Sequence, residues 1–207
     1  GIPAVGDVVT SAMSGGHVLA AGERVMVCGS RGIDEAVAAK GAVSVAHGEI
    51  DDGAAVDTVM VGFHRNFDYD VMRRAATAIR RGARLVGTND DATYPTPEGP
   101  IPGGGSILAA ISTAAGVAPM VTGKPHRTMA DLVCSLVPEV DATSVMVGDR
   151  PSTDGRFATT LGCRYALVRS GVTDAGVSAE ANPSWFEGCR VDIDAPNLWA
   201  VVDELLR

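Results

Sequence analysis

The 207 residues carry 17 basic against 25 acidic side chains, a formal net charge of −8, and 46% of them are hydrophobic. A chain of this length buries a substantial core in one large domain or two small ones, and its acidic balance argues against nucleic acid or an anionic membrane as the partner, which leaves small metabolites. No run approaches the roughly 18–20 apolar residues of a membrane span, and the first residues lack the basic start and apolar block of a secretion signal, so a cytoplasmic location is expected.

Residues 1–10 read as a turn followed by a short apolar strand or the lead-in to a helix, and 11–21 as a helix of small residues with Ser11 as its N-cap. Residues 24–29 form an apolar run stopped by glycine, so a strand is expected there, followed by a helix over 32–40 closed by Gly41. Further strands are expected at 42–46 and 58–62. Asp68 is placed to cap a helix over 69–81, whose Val71, Ala75 and Ile79 recur at four-residue spacing and build one apolar face; Gly82 stops it. A fourth strand at 84–87 runs into Thr88-Asn89-Asp90-Asp91 and a loop rich in proline and glycine through Gly105, after which 106–115 is again helical. Residues 121–125 read as a short strand or turn ahead of a helix, with Pro125 suited to a first helical turn. A strand at 145–147, a helix at 154–161, a strand at 165–169 and a final helix at about 197–206 follow. The stretch 173–196 reads as a loop with one short strand near 190–193 covering a sheet edge. This alternation specifies an α/β fold with mainly parallel strands. Cys28, Cys134, Cys163 and Cys189 are widely spaced with no Cys-x-x-Cys, so packing is expected of them rather than a zinc site or a disulfide framework.

The chemistry concentrates in Val145-Met146-Val147-Gly148-Asp149-Arg150-Pro151-Ser152-Thr153-Asp154. An apolar strand ends in glycine and aspartate, and a second aspartate opens the next helix. Ligands of open parallel sheets sit beyond the carboxyl ends of the strands, so a carboxylate there is placed to hold a metal near a phosphate; a strand-end aspartate serves equally as a helix cap. Lys124, between a glycine and a proline at a strand-helix junction, can neutralise a phosphate or a carboxylate nucleophile, or lie solvated on the surface. The glycine run 103–105 can cradle an anion on its amides or form a plain turn.

In chain order, Thr10-Ser11-Ala12, Gly62-Phe63-His64-Arg65 with Tyr69, the segment 87–95, Pro102-Gly103-Gly104-Gly105-Ser106, Gly123-Lys124-Pro125, the segment 147–154 and the segment 167–172 resemble the class IIA haloacid dehalogenase-type phosphatases, the NagD-like and phosphoglycolate or nitrophenyl phosphatase group. The resemblance implies a Rossmann-like core, here partial, with a large α/β cap inserted into it: a leading core piece at 1–21, the cap at 22–120 and the C-terminal part of the core at 121–207. It implies a magnesium-dependent hydrolase of phosphoric monoesters, acting on a small phosphorylated metabolite through an aspartyl-phosphate, and a homodimer formed through the cap. By position, Lys124 would steady the phosphoryl oxygens and the charged nucleophile from a strand end adjacent to that of Asp149. Asp149 would be a magnesium ligand, and Asp154 a neighbouring acid that binds metal-bound water or orients the site. Asn89 and Asp91 match the cap loop that faces the phosphate and helps select the leaving group.

The departure lies at the nucleophile. The family attacks phosphorus with the first aspartate of an Asp-x-Asp-Gly motif on the first core strand, the second aspartate acting as acid and base, and a threonine-asparagine motif on the next strand binds the phosphoryl group. Neither motif stands in that setting here. Asp192-Ile-Asp194 and Asp68-Tyr-Asp70 have the spacing, but the first precedes Ala-Pro near the end of the chain and the second opens a helix. Three readings stay open: a phosphatase whose nucleophile segment precedes Gly1 and which is inactive without it, a nucleophile-free relative that binds a phosphorylated ligand or a partner without turnover, and an unrelated α/β binding module.

Overall fold

Successive side chains of a strand point to opposite faces, and in this chain both faces are apolar, which calls for helices on both sides of each parallel sheet. The computed structural model describes residues 4, 6–173 and 176–207. Its contacts divide the chain into two units, Gly1–Gly123 and Lys124–Arg207.

The first unit runs α1 (Ser11–His17), β1 (Arg24–Cys28), α2 (Arg31–Ala39), β2 (Val43–Ser44), α3 (His47–Asp51), β3 (Thr58–Val61), α4 (Tyr69–Arg80), β4 (Arg84–Gly87), β5 (Thr93–Tyr94), β6 (Ile101–Pro102), α5 (Gly104–Ala115) and β7 (Met120–Val121). Five strands form a parallel sheet in the order β2-β1-β3-β4-β7, and β5 pairs with β6 antiparallel. Val25, Met60 and Val86 face Ile33 and Val37 of α2. Their neighbours Met26, Val59, Val61 and Leu85 face the other way, onto Val71, Ala75 and Ile79 of α4 and Ile107 and Ile111 of α5. The four-residue repeat read in α4 is therefore its buried stripe, and Asp68 caps it by accepting from Val71 N at 2.8 Å.

Several local expectations are corrected. The cap of α1 is Thr10, not Ser11: Thr10 has extended backbone and its hydroxyl accepts from Met13 N at 3.2 Å, and the helix ends at His17. This helix, drawn from the stretch expected as a leading core piece, packs on α2, and Ser14 Oγ donates to Thr122 O at 2.5 Å, so it lies within the first unit. The division by contacts falls after Gly123, where the expected boundary lay at 120/121. The loop after β4 holds the β5–β6 hairpin, and α3 follows β2 directly.

The second unit runs α6 (Arg127–Leu136), β8 (Val145–Gly148), a π-helical turn (Pro151–Gly155), α7 (Arg156–Leu161), β9 (Arg164–Val168), α8 (Pro183–Phe186), β10 (Ile193–Ala195) and α9 (Leu198–Leu205). A parallel sheet of order β10-β9-β8 places Ala166, Ile193 and Ala195 against Val201 of α9, and Tyr165 and Leu167 against Ala158 of α7. His126 is the N-cap of α6, so Pro125 precedes the cap instead of entering the first turn. The short strand expected near 190–193 forms at Ile193–Ala195 and extends the sheet by pairing with β9; of the loop expected over 173–196, residues 174 and 175 lie outside the described residues. Cys28 is buried, its thiol pushed up to about 12 by desolvation, as a packing role requires, whereas Cys134 is exposed.

Candidate active site

In the second unit the strand β8 ends at Gly148 and delivers Asp149 at its carboxyl end. Pro151, which has no N–H to lose, starts the π-helical turn, and Asp154 N donates back to Arg150 O at 2.7 Å. That wider turn brings the Asp154 carboxylate back over the strand end. Its Oδ2 accepts from Arg150 N at 3.1 Å and its Oδ1 from Lys124 Nζ at 2.7 Å. Asp154 is 6% exposed, so the pair is shielded on the carboxylate side and held by two charge-assisted bonds. Gly148 is required for this approach: a Cβ there would lie 2.4 Å from Asp154 Cγ.

Asp149 turns the other way. Its Oδ2 accepts from Val172 N at 2.7 Å, beyond the end of β9, and a Cβ on Gly171 would sit 2.0 Å from the same oxygen. Oδ1 of Asp149 makes no bond among the described residues, whereas both oxygens of Asp154 are engaged. Tyr165, buried on β9, donates its hydroxyl to Gly148 O at 3.2 Å. Burial first, and then the neighbouring Asp154 carboxylate, push the phenol well above its usual range, so it remains a neutral donor. Thr160 of α7 donates to Pro125 O at 2.8 Å and fixes the segment that carries Lys124.

A magnesium ion takes one or two carboxylates and keeps several waters, so it needs no all-protein cage. No group of three or more His, Cys, Asp or Glu gathers among the described residues, and the donor set fits that mode: Asp149 Oδ1 is the available carboxylate oxygen, and Asp154 already holds the lysine.

The other expected residues lie in the first unit. Asn89 and Asp91 follow β4, and Asn89 Nδ2 donates to Asp91 Oδ2 at 3.2 Å. The glycine run packs directly under them. Gly103 N donates to Ala92 O at 2.8 Å and Gly105 N to Asp91 O at 2.9 Å, so these amides hold the loop and are spent for anion binding. A Cβ on Gly104 would lie 2.4 Å from Asn89 Oδ1. Lys124 and Asp154 are thus brought together, Asp149 leaves the same strand end, and Asn89 is joined to Asp91. One expectation is revised: Lys124 does not sit at a strand end of the sheet that holds Asp149, because β7, three residues before it, pairs with β4 of the first unit.

A family model described as HAD-hydrolase-like matches residues 121–187, which span Lys124, Asp149 and Asp154. The D-glycerol 3-phosphate phosphatase of Mycobacterium tuberculosis is 38% identical over 182 residues, covering 86% of this chain and 50% of the relative. The crystal structure of glycerol phosphate phosphatase from the same organism, in complex with magnesium, superposes with a TM-score of 0.81 at 34% identity, covering 94% of this chain and 57% of that one. A hypothetical protein from Pyrococcus horikoshii OT3 gives a TM-score of 0.84 at 32% identity, covering 95% of this chain and 74% of that one. The chain belongs to the class IIA haloacid dehalogenase-type hydrolases.

This class IIA chain therefore spans about half the length of the phosphatase relative it matches. Its two Asp-x-Asp pairs are committed elsewhere. Asp194 accepts two bonds from the Arg169 guanidinium, from Nε at 2.8 Å and from Nη2 at 2.6 Å, and these hold its carboxyl below the usual range. Asp192 accepts from Tyr165 N at 3.0 Å, Asp68 caps α4, and Asp70 pairs with Arg73 at 3.2 Å. What the sequence did not disclose are the supports: Gly148, Gly171, Tyr165 and Thr160. Gly148 is the last residue of β8 and Gly171 follows the end of β9 by three residues, and glycine near a strand end is the one sequence signal that could have marked a close approach.

Proposed function

We propose that the chain is part of a magnesium-dependent phosphatase that hydrolyses a phosphoric monoester of a small metabolite through an aspartyl-phosphate. The observation that carries this reading is the Lys124–Asp154 pair beside Asp149 at one strand end. Lys124 neutralises charge on the phosphoryl oxygens and on the attacking carboxylate, while Asp154 positions the ammonium. Asp149 offers its Oδ1 to the metal, with Asp154 close by as a positioning acid; the bound metal supplies further neutralisation of the phosphoryl group. The attacking carboxylate is assigned to residues outside these 207, because each Asp-x-Asp pair within them is already engaged. In this reading the first unit is the cap, Asn89 and Asp91 contact the leaving group, and homodimers form through the cap. The relative named for D-glycerol 3-phosphate supports a short polyol phosphate as the substrate class, and the protein works in the cytoplasm.

The test is expression of the chain together with the residues encoded upstream of Gly1. Magnesium-dependent release of phosphate from an aryl phosphate is expected, abolished by Asp149→Asn and lowered in kcat by about a hundredfold or more by Lys124→Ala. Undiminished turnover by the Asp149→Asn protein at saturating magnesium would sink the metal assignment.

A further inference from the structure

In the five-stranded sheet the chain passes outward from β1 to β2 and in the opposite direction from β3 through β4 to β7, so its progress reverses between β1 and β3. Loops diverge at such a point, and open parallel sheets bind ligands there, mononucleotides among them. The first unit has a cleft of about 850 Å³ at this place, within the roughly 300–1,000 Å³ of small-molecule sites. Gly29 and Gly62 directly follow the two strands. A Cβ on either would lie 2.3 or 2.6 Å from Ile33 Cδ1, so the small residues let the start of α2 close in on the mouth.

One wall is apolar, with Val27, Val45 and Val71. Polar groups come from separate elements. Ser30 is the N-cap of the nine-residue α2, yet its hydroxyl makes no capping bond. His47 donates Nε2 to Val27 O at 2.8 Å, which fixes its ring in the wall. His64 lines the cleft, while its Nε2 is sequestered from solvent with no hydrogen-bond partner among the described residues, a cost that turning the ring toward a ligand in the cleft relieves. Arg65 is exposed beside it. Asp34 also lines the cleft; its charge disfavours a bare inorganic anion and suits a ligand that offers a hydroxyl to accept. None of these residues belongs to the candidate active site.

We propose that this cleft binds a mononucleotide-sized organic phosphate, with the phosphoryl group held by Ser30, His64 and Arg65 at the start of α2 and the planar body against Val27, Val45 and Val71. The site is independent of the phosphatase reading. Burial, and next the nearby His47, hold the His64 imidazole below its usual range, with Asp68 opposing them. A bound phosphate adds negative charge facing His47, His64, Arg65 and Asp34, and moves the titration of His64 upward.

Adenosine 5′-monophosphate titrated into the full chain in metal-free buffer is expected to bind saturably by calorimetry, with His64 titrating at higher pH in the complex by NMR. Arg65→Glu reverses an exposed charge and Ala46→Trp fills the cleft from an exposed position, so both proteins fold, as circular dichroism would verify. Each is expected to weaken binding by about tenfold or more, while the Lys124→Ala/Asp149→Asn double variant binds as the parent does. No saturable binding, undiminished binding by both cleft variants, or loss of binding in the double variant overturns the proposal. Inorganic phosphate binding as tightly as the nucleotide overturns the role given to the apolar wall.

Discussion

Glu23 shows how one carboxylate can hold three strands at their amino ends. It accepts from Thr58 Oγ1 and Arg84 at 2.5 Å each and from Ala20 N at 2.9 Å. Burial pulls its carboxyl up, but the bonds from Thr58, Ala20 and Arg84 outweigh it and leave the group below its ordinary 4.5. A depressed folded value means that the stabilisation is complete above the ordinary value and is lost as pH falls through the depressed one. Glu23→Gln is accordingly expected to cost about 1–2 kcal/mol at neutral pH, with the two urea midpoints converging below pH 4.5; a constant difference down to acid pH would contradict the role. The second residue to test is Gly148. Its Cβ-free approach to Asp154 leaves no room for alanine, so Gly148→Ala is expected to destabilise by about 1–3 kcal/mol and to separate Asp154 from Lys124. An unchanged unfolding midpoint would show that the turn moves freely.

The elements divide by how much of their structure is local. Helix α4 was legible because a cap, a four-residue apolar repeat and a terminal glycine agree within fifteen residues, 68–82. Strands β1, β3 and β4 were legible because both faces are buried, which makes them continuous apolar runs. The two-residue strands β5 and β6 were not: Thr93–Tyr94 and Ile101–Pro102 have too few residues for a period, and their pairing depends on the glycines that pack beneath the loop. The same glycines decide what the loop can do. Gly105→Ala would place a Cβ 2.2 Å from Asp90 O, and because backbone cannot swing aside as a side chain can, a loss of about 1–3 kcal/mol is expected, together with faster amide exchange across 89–93. Unaltered exchange would mean that the loop holds its shape without the glycine run.

Over the whole molecule, the α/β class, the parallel sheets and the acidic strand tip were legible in the sequence, while the partnerships that make a site were not. Nothing in the spacing says that Lys124 meets Asp154, thirty positions away, or that Asp149 is steadied by Val172 N. The cleft between β1 and β3 was missed for the same reason, since Ser30, His47 and the adjacent His64 and Arg65 come from three separate stretches that only the fold brings together. The leading helix α1 was assigned by resemblance, and only its packing on α2 shows which unit it joins. The central claim is that these residues assemble the charge-neutralising half of a phosphatase whose attacking carboxylate lies outside them. Transfer to an aspartate fails when the nucleophile is missing even if the positive groups remain, because residues that act as a unit fail together. The most direct measurement is magnesium-dependent phosphate release from an aryl phosphate by residues 1–207 alone and by the same chain joined to the residues encoded before it. The account expects no turnover from the first and turnover from the second. Robust turnover by residues 1–207 alone, lost in Lys124→Ala or Asp149→Asn, would contradict it and place the nucleophile within this chain, with Asp192 and Asp194 the first carboxylates to examine.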